Sequence, residues 1–172
     1  MKSDSTIDGV LLIDKAPGMT SHDVVAITRR VLNTRKVGHC GTLDPLATGL
    51  LIITIGRGTK IQDLLMSEDK EYVGTIRLGQ NTTSQDADGA ITEEMPVPDL
   101  TREQIDEAFG KFQGDFYQTP PMVSAIKKGG VPLYKLARQG KTVERQPRLV
   151  HVYGHEILNV ALPEVEFRVV CS

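Results

Sequence analysis

The sequence has few of the features that are typical of disulfide-rich, zinc-binding, membrane and secreted proteins. Its 172 residues include two cysteines and no tryptophan. Because Cys40 and Cys171 lack any CxxC spacing, a zinc site and a disulfide scaffold are both disfavoured. The longest apolar runs are about six residues, which is too short to span a membrane, and from the first residues we expect no signal peptide. We therefore expect a cytoplasmic protein that neither enters a membrane nor binds a metal.

What is present is the composition of an ordinary globular protein. Hydrophobic residues make up 40% and charged residues 24% of a chain about one domain long. The charge is segregated, since residues 27–60 contain six basic residues against Asp44 alone, and residues 127–148 contain seven against Glu144 alone. Residues 61–126 contain 13 acids and four bases. The two basic blocks can form one face for a polyanion, or they can be separate solvated surfaces.

Hydrophobic patterning alternates irregularly between strands and helices, with strand neighbours close in sequence. This arrangement predicts an α+β fold with a mixed, largely antiparallel sheet and flanking helices. Ser21 is the predicted N-cap of the first helix, and residues 79–89 are a predicted polar loop. The predicted strands are 9–14, 35–40, 50–55, 70–78 and 164–172, and the predicted helices are 21–32, 59–66, one that starts at Thr101, and 133–139.

The most informative segment is residues 38–50, which hold a single carboxylate, Asp44, between glycines and before a proline. An apolar run, residues 50–55, follows at once and is typical of a buried strand. Asp44 therefore lies in a loop at the end of a sheet, where chains often place functional groups. Asp before Pro is also a good start for a type I turn, so a purely structural role stays open.

Three other segments fit functional motifs less well. Residues 56–60 lack the spacing and the Lys-Thr order of a nucleotide-binding phosphate loop, although contact with a backbone phosphate stays open. Residues 86–89 resemble part of a calcium loop, but Met95 would stand where its bidentate glutamate belongs. Cys40 beside His39 suggests a thiol nucleophile, yet adjacent side chains usually diverge and no third orienting group is evident.

Four sequence blocks in order cover nearly the whole chain. They are residues 9–21; Gly38-His39-Cys40-Gly41-Thr42-Leu43-Asp44-Pro45-Leu46-Ala47-Thr48-Gly49; Tyr72 with Arg77-Leu78-Gly79, Thr82, Ser84, Asp86, Asp88 and Gly89; and residues 118–127 with Tyr134 and residues 137–140. Together these blocks resemble the TruB-type tRNA pseudouridine-55 synthases. The chain departs from the family pattern at Ala16, where proline is usual and where Pro17 follows one place later.

The resemblance implies an isomerase that converts uridine to pseudouridine in the T loop of tRNA, without metal or other cofactor. It implies that Asp44 is the catalytic carboxylate, acting as a nucleophile on the sugar or base, or as a base that removes a ribose proton. Either route breaks the glycosidic bond of an extruded nucleotide and reattaches the base through carbon. The sequence leaves the choice of route open.

The resemblance also assigns five substrate-binding positions. Tyr72 matches an aromatic residue that stacks on the target base, although a core aromatic of a strand would give the same pattern. His39 matches a residue that enters the T loop where the uridine has left, and would otherwise be a structural histidine of the loop. Lys15 and Lys60 match basic positions that contact phosphate or support the loop, and Arg57 belongs to the same basic group.

By this resemblance, residues 1–172 are the N-terminal part of the synthase catalytic domain. The rest of that domain and a C-terminal PUA-like RNA-binding domain are expected to be absent, so the chain itself is expected to be inactive or impaired. The final strand is then expected to lack its partner. The intact protein is expected to be a monomer that binds the T stem-loop of tRNA.

Two other functions stay open. A module that binds or folds the tRNA elbow without chemistry would carry the same basic blocks, and replacing Asp44 would leave its function unchanged. A relative of the guide-dependent eukaryotic and archaeal synthases would act on other RNA. The compact loops fit the stand-alone bacterial type better.

Overall fold

The computed structural model describes residues 7–122, 124, 126–137 and 139–172. Their backbone forms two compact units, Met1–Glu68 and Asp69–Ser172. Within these residues every strand pairing is antiparallel, which confirms the predicted α+β class. No helix in the described ranges has the length and apolar character needed to cross a membrane.

The first unit packs one helix against a three-stranded sheet in the order β1-β3-β2. Its core joins Val24 and Val25 of the helix to Leu51 and Ile53 of the central strand, where the apolar run predicted a buried strand. The elements are β1 (Gly9–Lys15), α1 (Ser21–Val31), β2 (Val37–Cys40), β3 (Gly49–Ile55), a 3₁₀ helix (Gly56–Ile61) and α2 (Gln62–Met66).

The N-cap of α1 is Thr20, so the prediction of Ser21 as the cap is wrong by one residue. The Thr20 side chain accepts from the backbone N–H of Asp23, and the Asp23 carboxylate accepts from the backbone N–H of Thr20. This reciprocal capping box also lowers the pKa of Asp23. Because Thr20 supplies the cap, the hydroxyl of Ser21 is available for another partner.

The glycine-rich run after β3 packs closely against neighbouring backbone. It forms a 3₁₀ helix that begins at Gly56, whereas the predicted helix begins at residue 59. A Cβ atom on Gly58 would lie 2.3 Å from the carbonyl oxygen of Gly9. Gly56, with φ of 58°, would place a Cβ 2.6 Å from the carbonyl oxygen of Ile7. The glycines therefore let this segment approach the start of β1 closely.

Gly58→Ala is expected to lower the free energy of unfolding of the first unit by about 1–3 kcal/mol, since the added methyl group forces backbone apart. Gly9→Ala is the matched control, because a Cβ there meets nothing within 4 Å. Chemical denaturation of both variants measures the difference. Equal stability of the two variants would contradict the close packing.

The second unit is a four-stranded sheet in the order β4-β11-β10-β7, with a helix packed on one face. Ile105 of that helix meets Ile157 and Val165 of the two central strands. The elements are β4 (Lys70–Arg77), β5 (Gln80–Thr82), β6 (Ile91–Glu94), α3 (Arg102–Gly110), β7 (Gly114–Gln118), β8 (Lys127–Lys128), β9 (Val131–Pro132), α4 (Leu133–Ala137), β10 (Arg148–Ala161) and β11 (Glu164–Cys171).

Two expectations about this unit are wrong. The final strand, β11, lies inside the sheet, and its Val169 pairs with Tyr72 on one side and His155 on the other. The edges of the sheet are β4 and β7 instead. The predicted loop 79–89 contains β5, which pairs with β6 although none of its three residues is apolar.

Candidate active site

Asp44 lies in the loop between β2 and β3, residues 41–48, which we call the Asp44 loop. The predicted turn is present, since the N–H of Ala47 donates to the carbonyl of Asp44 at 3.0 Å. Gly41, the first residue of the loop, and Gly49, which follows its last residue, have φ values of 86° and 109°, which other residues rarely adopt. The Asp44 carboxylate is solvent exposed and makes no hydrogen bond or ion pair within the described residues.

Lys15 is buried beneath this loop, with only 1% of its surface exposed. Its ammonium donates to the carbonyls of Ala16, Met19 and Pro45 at 3.1, 2.8 and 3.3 Å. The carbonyl of Pro45 also accepts from the N–H of Gly18 at 2.8 Å. A buried ammonium satisfied by three carbonyls ties β1 to the residue after Asp44, and this geometry favours support of the loop over contact with phosphate.

Lys15→Met is expected to lower the free energy of unfolding of the first unit by about 2–4 kcal/mol, because the carbonyls of Ala16 and Met19 lose their donor. Methionine keeps most of the apolar stem, so the loss reports the hydrogen bonds. Lys60→Met removes an exposed lysine and is expected to change stability by less than about 0.5 kcal/mol. Denaturation curves that shift equally for both variants would contradict the bonding role of Lys15.

His39, at the end of β2, is half-buried and fixed by its neighbours. Its Nδ1 lies 2.5 Å from the carbonyl oxygen of Gly41, and because a carbonyl only accepts, Nδ1 carries the proton. The amide of Gln62 donates to the backbone carbonyl of His39 at 2.8 Å. The ring of His22 meets that of His39 edge-on, with centroids 5.9 Å apart. The imidazole is thus oriented, and its Nε2 makes no hydrogen bond with the described residues.

The surroundings of Cys40 make its thiol less suited to nucleophilic attack than that of an ordinary cysteine. Burial and the nearby charge of Asp63 raise the pKa of its thiol, so the reactive thiolate is disfavoured. Among the described residues, no cluster of three or more His, Cys, Asp and Glu side chains could hold a metal ion.

The two other cationic positions predicted in this unit differ in their surroundings. The backbone N–H and Nε of Arg57 both donate to the carboxylate of Asp8, at 2.5 and 2.6 Å, and these bonds lower the pKa of Asp8. The Arg57 side chain is still 81% exposed, so its outer nitrogens face solvent. Lys60 is exposed on the 3₁₀ helix. Both side chains can reach an external anion.

Tyr72 lies in the second unit, on β4, with 45% of its surface exposed. It is cross-strand partner to Val169, and burial of part of the ring raises the pKa of its hydroxyl. The phenol therefore stays neutral at physiological pH. A ring that is half exposed on a strand is available for stacking, whereas a core aromatic would be enclosed.

Sequence reasoning missed three residues that hold this geometry: Ser21, His22 and Gln62. Ser21 Oγ bonds both backbone groups of Leu43, the residue before Asp44. The partners of Ser21 and Gln62 lie 22 and 23 residues away. A contact of that kind leaves no local pattern in the sequence.

A family model described as "TruB family pseudouridylate synthase (N terminal domain)" matches residues 29–172. The tRNA pseudouridine synthase B of Opitutus terrae is 56% identical over 166 residues, covering 96% of this chain and 69% of the relative. That of Mycobacterium sp. strain KMS is 49% identical over 168 residues, covering 95% and 57%. The chain therefore spans between about half and two thirds of the length of these relatives.

Two solved structures share the fold. A Cbf5-Nop10-Gar1 complex matches with a TM-score of 0.67 and 30% identity, over 95% of this chain and 39% of the other. An H/ACA RNP bound to a substrate RNA containing 2′-deoxyuridine matches with a TM-score of 0.64 and 28% identity, over 95% and 37%.

Proposed function

Since the chain belongs to the TruB family of pseudouridylate synthases, we propose that the full-length protein isomerises a uridine of tRNA to pseudouridine, with Asp44 as its catalytic carboxylate. The observation that carries this proposal is the exposed carboxylate of Asp44 between two anchored residues, Leu43 and Pro45. A reactive group is effective when its backbone is held in one geometry and its side chain is open to substrate.

The substrate we propose is the T stem-loop of tRNA, modified at uridine 55. The relatives from Opitutus terrae and Mycobacterium sp. are named tRNA pseudouridine synthase B and are 56% and 49% identical to this chain. The Cbf5-Nop10-Gar1 complex and the H/ACA RNP are 30% and 28% identical. This difference supports tRNA over guide-selected RNA. His39 enters the loop vacated by the uridine, Arg57 and Lys60 contact phosphates, and Tyr72 stacks on the extruded uracil. The protein acts in the cytoplasm as a monomer.

The reaction breaks the bond between N1 of uracil and C1′ of ribose and forms a bond from C5 to C1′. The proton leaves C5 and N1 gains one, so substrate and product are isomers and no oxidant is consumed. An ionised Asp44 serves either as a nucleophile or as a base in this scheme. Because the exposed carboxylate has no partner among the described residues, its lone pairs are free for both roles.

The direct test is nucleotide-resolution mapping of pseudouridine in an unmodified tRNA transcript treated with the full-length protein. The proposal predicts one new pseudouridine, in the T loop, and none in a transcript whose target uridine is replaced by cytidine. Pseudouridine at another site would contradict the T-loop assignment. Tight binding to both transcripts without any pseudouridine would favour a module that binds or folds the tRNA elbow.

A further inference from the structure

The hydroxyl of Ser21 makes two hydrogen bonds to a single residue of the Asp44 loop. Its Oγ donates to the carbonyl of Leu43 at 3.2 Å and accepts from the N–H of Leu43 at 3.0 Å. A hydroxyl has one proton and two lone pairs, so both bonds form together. The side chain thus gives Leu43 both backbone partners that a neighbouring strand would otherwise supply.

Within the part of the chain that the structure describes, the Ser21 hydroxyl makes no other hydrogen bond. Thr20 is the N-cap of α1, so the hydroxyl of Ser21 is not needed to cap the helix. Ser21 is 2% exposed and lies where a substrate cannot touch it. Any effect of Ser21 on a reaction must therefore pass through Leu43.

Leu43 directly precedes Asp44, and its side chain packs against the core of the first unit. On the other side of Asp44, the carbonyl of Pro45 is held by Lys15 and Gly18. We propose that Ser21 is a positioning residue, which fixes the backbone on the N-terminal side of Asp44 and so sets the direction of the carboxylate. This inference rests on the proposed function of Asp44.

The test compares Ser21→Ala with Thr28→Val in the full-length protein. Thr28 is a matched control, because it is buried on the same helix and its hydroxyl donates only within that helix, to the carbonyl of Val24 at 2.8 Å. We expect Ser21→Ala to lower the single-turnover rate at saturating tRNA by about tenfold. The dissociation constant for tRNA should stay within about twofold, because the RNA-facing groups remain. Thr28→Val should keep the wild-type rate.

Ser21→Cys is a second variant that fills the space of the hydroxyl but bonds weakly, so its rate should fall as well. Hydrogen exchange gives a readout that does not depend on activity: Ser21→Ala should lose protection at the amide of Leu43 while amides of β3 keep theirs. Wild-type rates in both Ser21 variants, or equal rate losses in Ser21→Ala and Thr28→Val, would overturn the positioning role. Unchanged hydrogen exchange at the Leu43 amide in Ser21→Ala would also overturn the positioning role, whether or not the protein is active. A wild-type protein that makes no pseudouridine would refute the proposed function, which is a separate result.

Discussion

Replacing Asp44 with asparagine is expected to lower pseudouridine formation by the full-length protein by at least about 10⁴-fold, the scale of loss when a reacting group is removed. Asparagine has the shape of aspartate but is neither a comparable nucleophile nor a base. Because the carboxylate is exposed and makes no bond within the described residues, stability should change by less than about 0.5 kcal/mol. Single-turnover assays on tRNA measure the rate, and filter binding measures the affinity.

The control for this variant is Thr42→Ala, which removes an exposed polar side chain from the same loop. Thr42→Ala should leave the fold intact. Comparing it with Asp44→Asn therefore distinguishes the loss of the carboxylate from a general disturbance of the loop. Wild-type turnover in Asp44→Asn would remove Asp44 from the chemistry. Unchanged tRNA affinity together with lost turnover would separate catalysis from binding.

Tyr72→Ala is expected to reduce kcat/KM for tRNA by roughly 5-fold to 150-fold, because stacking of an aromatic ring on a base is worth about 1–3 kcal/mol. The ring is half exposed, so it offers a face to an extruded uracil. Tyr72→Phe keeps the ring and should stay within about threefold of wild type, since the stacking surface is retained. Steady-state kinetics on a T-arm RNA measure both variants.

Tyr117→Ala is the matched control for Tyr72. Tyr117 is a tyrosine of the same sheet, 73% exposed on the edge strand β7. It has no assigned role in binding, so its removal should leave kcat/KM unchanged. If Tyr72→Phe falls as far as Tyr72→Ala, the hydroxyl rather than the stacking face is what the substrate needs, and the stacking role is wrong.

The elements that local sequence specifies were predicted well. The apolar run of residues 50–55 is the central strand of the first unit, and the predicted strand 164–172 is β11, with Val165 buried. Glycine and proline around Asp44 predicted an exposed turn at the end of a strand, as observed. In each case the deciding interactions join residues close in sequence or follow from a single periodicity.

The support of the Asp44 loop could not be predicted in the same way. Lysine side chains are usually solvated, yet Lys15 is buried because three carbonyls converge on it. The interior position of β11 depends on pairing with residues of β4 that lie far away in sequence. Thr20 could have been found, because Thr20-x-x-Asp23 is itself a capping-box pattern.

The most direct test of the central claim is pseudouridine mapping of tRNA from cells that lack the gene for this protein. The T-loop signal should vanish in these cells, return when the intact gene is restored, and stay absent when the restored gene carries Asp44→Ala. A T-loop signal that persists without the gene, or that the Asp44→Ala gene restores, would contradict the assignment of Asp44 as the catalytic carboxylate.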